Sequence, residues 1–170
     1  SSSYIEELNE LYKDETPEKK RELYGKLNWQ CVLERPKVIY NDATKKYVMW
    51  FHKDGEGVGK YDLAQTGVAV SDSPAGPFKL IDCIRPNGHE SRDMTLFKDD
   101  DGKAYLLHSC EGNNTLYMEE MNEDYTGLTG NYSRNYVEKG GTMAIYAREA
   151  PAVFKYKNNY YIITSGCTGW

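Results

Sequence analysis

Glu34-Arg35-Pro36-Lys37-Val38-Ile39-Tyr40 returns in altered form as Arg92-Asp93-Met94-Thr95-Leu96-Phe97-Lys98, and again as Glu149-Ala150-Pro151-Ala152-Val153-Phe154-Lys155. Each copy sets a carboxylate ahead of a short apolar run. A polar turn and a second apolar run follow: Tyr47-Val48-Met49-Trp50, Tyr105-Leu106-Leu107 and Tyr160-Tyr161-Ile162-Ile163. With Val38, Leu96 and Val153 as reference positions, the spacings are 58 and 57 residues. A nearly constant period built on strand–turn–strand units predicts a repeat architecture of the propeller or solenoid kind. Radial repetition would gather Glu34, Asp93 and Glu149, which start equivalent strands, around one axis. Three carboxylates facing one cavity suit acid/base chemistry.

Working outward from the repeat, the first unit is expected to hold strands near 36–40, 46–52, 66–71 and 77–82. The turns Asn41-Asp42-Ala43-Thr44-Lys45 and Ser73-Pro74-Ala75-Gly76-Pro77 separate the first pair and the last pair. The second unit predicts strands near 94–98, 103–109, 114–119 and 134–138, and the third near 151–155 and 159–165. Asp99-Asp100-Asp101-Gly102 has the acidity of a calcium loop but not its remaining ligands, so it reads as a hairpin turn. Four antiparallel, hairpin-linked strands per unit describe a propeller blade. The fold class is therefore all-β, of the β-propeller type, with about 2.5 blades over residues 34–84, 92–140 and 149–170. That number closes no ring. The missing blades are expected from the rest of the protein or from another chain, because an open sheet edge invites aggregation.

Residues 1–30 are expected to form a helical segment ahead of the partial propeller at 31–170. Ile5, Leu8, Leu11 and Tyr12 make an apolar stripe over 4–13, and Thr16-Pro17-Glu18 starts a second helix over 17–28 with an N-cap and a first-turn proline. This segment reads either as a docking element or as a helical excursion packed on the domain. The chain's 170 residues suffice for one domain with a sizeable core. A net charge of −5 without a basic block argues against nucleic acid and anionic membranes as partners. No run reaches the ~18 apolar residues of a membrane span. No signal peptide is visible, although the expected location is secreted or periplasmic.

Cys31, Cys83, Cys110 and Cys167 form no CxxC pair, which disfavours a zinc ribbon or redox motif. On the repeat alignment His52, Cys110 and Cys167 each fall 14 residues after the reference position. They would then end equivalent strands, as a soft-metal group or as small buried residues at a crowded centre.

At Glu34-Arg35-Pro36-Lys37, Ser91-Arg92-Asp93-Met94 and Arg148-Glu149-Ala150-Pro151 the chain resembles glycoside hydrolase family 43, most of all its exo-β-1,3-galactanase-like subgroup. Gly67-Val68-Ala69-Val70-Ser71-Asp72-Ser73-Pro74-Ala75-Gly76-Pro77-Phe78 and Thr164-Ser165-Gly166-Cys167-Thr168-Gly169-Trp170 extend the resemblance, which runs from about residue 31 to 170. It implies a five-bladed propeller and an inverting hydrolase acting on β-1,3-linked galactose or a related glycan. It further implies that Glu149 is the general acid, that Asp93 tunes and orients it, and that Glu34 contacts the sugar. Tyr61, Asn113, Asn114 and Thr168 resemble sugar-contacting positions. No general base is identifiable, and two helices stand where the family's first blade would be. No cofactor is required; a structural calcium is compatible with the resemblance, but no ligand set for it is visible.

Inverting glycosidases hold their acid and base roughly 6.5–9.5 Å apart to admit a water. The acid must keep its proton near neutrality, so burial or a neighbouring charge has to favour the neutral form, and Asp93 could supply that charge. Each residue also has a plainer reading. Glu34 and Asp93 could be ion pairs of the adjacent Arg35 and Arg92. Tyr61 and Trp170 could stack on pyranose faces, though Trp170 could equally pack between blades; Trp50 reads as core. Asn113 and Asn114 could bind hydroxyls or make a turn, and His89 and His108 read as structural. The alternative functions are a non-catalytic carbohydrate-binding propeller and a protein-interaction propeller.

Overall fold

The computed structural model describes residues 2–27, 30–55, 60–135 and 147–166. Among these residues two helices, α1 (Ser2–Leu11) and α2 (Pro17–Lys26), precede ten strands. The Thr16 side chain accepts the Lys19 N–H at 3.2 Å, and Pro17 opens α2, as the sequence predicts. Both helices pack on the first sheet: Leu8 and Leu11 of α1 lie against a buried cluster in which Tyr12, just past that helix, and Leu23 of α2 join Phe51, Ala69, Leu80 and Cys83. The Tyr12 hydroxyl accepts the Leu80 N–H at 2.8 Å, and Glu15 pairs with Lys79 at 2.6 Å. Ile5 does not join this contact and stays 60% exposed.

Strands β1 (Val32–Asn41), β2 (Lys46–Asp54), β3 (Gln65–Ser71) and β4 (Lys79–Ile84) form an antiparallel meander. A second meander joins β5 (Met94–Lys98), β6 (Ala104–Cys110), β7 (Thr115–Met121) and β8 (Leu128–Asn135). β9 (Arg148–Tyr156) pairs with β10 (Asn159–Gly166) in a two-stranded sheet. The first strands of the three sheets are neighbours, β1 beside β5 and β5 beside β9. Nine of the ten strands fall close to their predicted places. The exception is β8, expected over 134–138, of which 136–138 lie outside the described residues; it starts at Leu128. The cause is a turn in which Asn122 donates its N–H to the Gly127 carbonyl at 3.0 Å while Asp124 accepts the Thr126 N–H. This turn closes the β7–β8 hairpin and places the next strand at once.

The acid-bearing strands differ in one respect that explains their spacing. In β1 Glu34 pairs with His52 and Lys37 with Trp50, so Arg35 and Pro36 together face Phe51 in a β-bulge. In β9 Glu149 pairs with Ser165 and Ala152 with Ile163, and the extra pair is Ala150-Pro151. Arg35 and Ala150 both sit at positive φ, 53° and 47°. Proline suits the next position because a bulge interrupts the ladder and a proline has no N–H to donate. β5 runs without a register shift and has no proline. The bulge is the added residue between acid and reference position in the outer copies.

The seam between the first two sheets is the main core. Ile39, Val48, Trp50 and Val68 meet Met94, Ala104, Leu106, Met121 and Tyr125. Trp50 is fully buried and donates its indole N–H to the Tyr125 carbonyl at 2.8 Å. Gly67 lies across the ladder from Phe51, and a Cβ there would stand 2.2 Å from the Phe51 ring. Glycine lets that ring lie on β3 and reach the helices.

Candidate active site

The starts of β1, β5 and β9 frame a half-open cavity of about 310 Å³. The first sheet contributes Glu34, Arg35, His52 and Tyr61, the second Arg92, Asp93, Gly112 and Asn113, and the third Glu149. The three acids predicted from the repeat thus face one space, as do Tyr61 and Asn113. Asn114 does not line it. Its side-chain amide donates to the carbonyls of Glu111 (2.8 Å) and Gly112 (3.4 Å), tying the β6–β7 turn. Thr168 and Trp170 lie outside the described residues, as does Cys167.

Asp93 is 8% exposed, and its ion pair is not with its sequence neighbour. Its Oδ2 accepts Arg35 Nη2 at 2.9 Å from the first sheet and the Ala150 N–H at 2.8 Å from the third. One carboxylate oxygen therefore joins all three sheets. The bulge at Ala150 is what aims that N–H at Asp93, and a non-glycine residue at positive φ needs such a fixed partner to offset its strain. The hydrogen bond to Asp93 outweighs burial and, with the charges of Asp93, Glu34 and Glu149, holds Arg35 above the usual guanidinium range. Asp93 thus carries its own counter-ion, and its visible hold on Glu149 is through the backbone of the next residue.

Glu149 Oε1 accepts the Asn113 side-chain amide at 3.0 Å. Asn113 stands at φ 68°, a conformation asparagine tolerates, and its carbonyl accepts the Arg148 N–H at 2.8 Å. The Ser109 hydroxyl donates to the Arg148 carbonyl at 2.6 Å. Glu149 is thus gripped by β6 and its turn on one side and by Asp93 on the other.

Glu34 also avoids its neighbour Arg35. Its Oε1 accepts the Tyr61 hydroxyl at 2.7 Å, and its Oε2 faces His52 Nδ1 at 3.3 Å. His52 Nε2 faces Asp54 Oδ2 at 3.1 Å, and Asp54 is wholly buried. Burial pushes the Asp54 carboxyl up, but the N–H groups of Ala64 and Leu63, then His52 and the Gly55 N–H, outweigh it and hold it below the usual carboxylate range. Arg92 approaches the same Oδ2 at 3.5 Å. Arg35, His52, Asp54 and Arg92 have no motif that assigns them a site role from sequence. The only hint was the place of His52 in the repeat alignment.

The Glu34 hydrogen bond, followed by burial, pushes the Tyr61 phenol up to about 12. Only the protonated phenol can donate. The contribution of this bond to folding is therefore complete below the ordinary phenol value of ~10 and is lost as pH rises through about 12. In Glu34→Gln, one tyrosine should titrate nearer ~10, visible as earlier phenolate absorbance in an alkaline spectrophotometric titration. Superimposable curves for the two proteins would refute this pairing.

Among the described residues, one group could offer three metal-ligand atoms, Glu34, His52 and Asp93, all within 4.8 Å of one another. These atoms already face protein groups, and Arg35 supplies positive charge beside Asp93. The set does not require a cation. Cys110 belongs to no such group: burial pushes its thiol up to about 11, that of an inert core cysteine. His108 is fully buried against Glu119 at 3.2 Å, a structural pairing.

A family model described as glycosyl hydrolases family 43 matches residues 26–169. The chain belongs to this family. A family 43 β-1,3-galactosidase solved with galactodeoxynojirimycin is 38% identical, with a TM-score of 0.74 over 85% of this chain and 53% of its own. Exo-β-1,3-galactanases from Phanerochaete chrysosporium, with β-1,3-galactotriose, and from Clostridium thermocellum are each 35% identical, with TM-scores of 0.71 over 83% of this chain and 31% of theirs. A xylosidase/arabinosidase 43A of Humicola insolens is 45% identical over 67 residues, 38% of this chain and 19% of that protein. The family 43 chain described here thus spans about half the length of the first of these relatives and less than a third of the others.

Proposed function

We propose that this chain carries the acid half of an inverting glycosidase site for terminal β-1,3-linked galactose, on about two and a half blades of a five-bladed propeller. The carrying observation is the pair of holds on Glu149: Asn113 on its carboxylate and Asp93 on the following N–H, within the cavity that Glu34 and Tyr61 also line. The structural relatives that act on β-1,3-galactosyl linkages support the choice of sugar.

In this reading Glu149 protonates the departing glycosidic oxygen. Asn113 occupies Oε1, which leaves Oε2 as the oxygen that faces the reaction. Asp93 keeps the acid's backbone in its bulge. Glu34, with Tyr61 on one oxygen and His52 facing the other, presents a fixed acceptor for sugar hydroxyls.

The test is hydrolysis of β-1,3-galactan by this chain, with the first-formed anomer resolved by NMR. Initial release of α-galactose supports the reading; initial β-galactose overturns inversion. No release at high enzyme concentration, with sugar binding retained, would make the chain a carbohydrate-binding unit instead.

A further inference from the structure

Asp54 does not line the cavity, yet both sugar-facing groups of the first sheet depend on it. Its Oδ1 accepts the N–H of Gly55 at 2.9 Å and of Leu63 at 2.7 Å, the second lying two residues past Tyr61. Its Oδ2 faces His52 Nε2 at 3.1 Å, and the other ring nitrogen of His52 faces Glu34. His52 is 2% exposed and Asp54 0%, so neither group can exchange its partner for water. Burying a carboxylate is costly unless hydrogen bonds satisfy it. Here those bonds run to the two devices that aim Glu34 and Tyr61, and the Glu34–Tyr61 hydrogen bond closes the circuit at the cavity wall.

We infer that Asp54 is a positioning residue for substrate binding, acting through His52 on Glu34 and through the Leu63 N–H on Tyr61. The inference rests on the reading that Glu34 and Tyr61 contact the terminal sugar. It adds a division of labour: Asp54 governs sugar affinity, whereas Asn113 and Asp93 govern the acid. An interaction made equally in ground and transition states changes KM and not kcat.

The probe is β-1,3-galactobiose, titrated calorimetrically into the Glu149→Gln chain and into the same chain carrying Asp54→Asn. Loss of a buried, charge-assisted contact predicts a rise in Kd of about tenfold. In the hydrolytic assay Asp54→Asn should raise KM by a similar factor and hold kcat within about twofold. His52→Gln, which keeps a group near Asp54 but loses the one facing Glu34, should behave likewise. His52→Asn, which restores a donor at the Nδ1 position, should recover part of the affinity and guards against an Asp54 variant that fails to fold. A lower melting temperature with unchanged Kd and KM would overturn the inference and leave Asp54 a fold residue. A loss confined to kcat would overturn it too. If the unsubstituted chain hydrolyses nothing but binds, and Asp54→Asn weakens that binding, the hydrolase reading fails while the positioning role stands. Absence of binding by the Glu149→Gln chain would refute the sugar pocket and this inference together.

Discussion

Glu149→Gln should lower kcat on β-1,3-galactan by roughly 10²–10⁴-fold, the usual contribution of a placed general acid, with little change in sugar affinity. Glutamine keeps the shape of the side chain, and its amide oxygen can still accept from Asn113, whose amide is 3.0 Å from Oε1. Only the transferable proton is removed. The loss should shrink on an aryl galactoside whose leaving phenolate needs no protonation, because acid assistance matters least where the departing oxygen is already stable. Equal losses on both substrates would mean that Glu149 acts through binding or folding. A change of less than about threefold on the polysaccharide would remove it from the chemistry.

Trp50→Ala should destabilise the chain by about 3–5 kcal/mol, measured by denaturant unfolding at equilibrium. Trp50 is fully buried where the first two sheets meet, so truncation leaves a void that neither sheet can close alone. It also strands the Tyr125 carbonyl, which the indole N–H reaches at 2.8 Å. Trp50→Phe should lose less, since it keeps much of the ring and forfeits mainly that bond. The seam matters to chemistry as well, because Arg35 and Asp93 meet across it at 2.9 Å. A loss under about 1 kcal/mol for the alanine variant would show that the sheets are held together elsewhere.

The sheets and the three acids were legible because periodicity is a local property: alternating apolar runs and Gly, Pro, Asn and Asp turns repeat with the units they build. The partners of the acids were not legible, because they come from other units. Sequence adjacency suggested Glu34 with Arg35 and Asp93 with Arg92; the structure gives Glu34 to Tyr61 and His52, and Asp93 to Arg35. Which neighbour a carboxylate takes depends on where a bulge turns the chain, and no residue pattern states that. Asp54 was invisible for a related reason. Its worth lies in the backbone N–H groups of Gly55 and Leu63, one and nine residues after it, and in a histidine two residues before it. β8 starts as soon as the Asn122–Gly127 turn closes, and that closure is a backbone hydrogen bond that no apolar run announces.

The bulges at Glu34 and Glu149 have one further consequence. The same kink holds an arginine in one sheet and an alanine in the other, followed by proline in both. From one the site takes a side chain, the Arg35 guanidinium; from the other it takes a piece of main chain, the Ala150 N–H. Both are delivered to the same oxygen of Asp93. Copies of a single structural unit can therefore serve one residue with two unlike donors, and the difference lies in a single letter inside an unchanged frame.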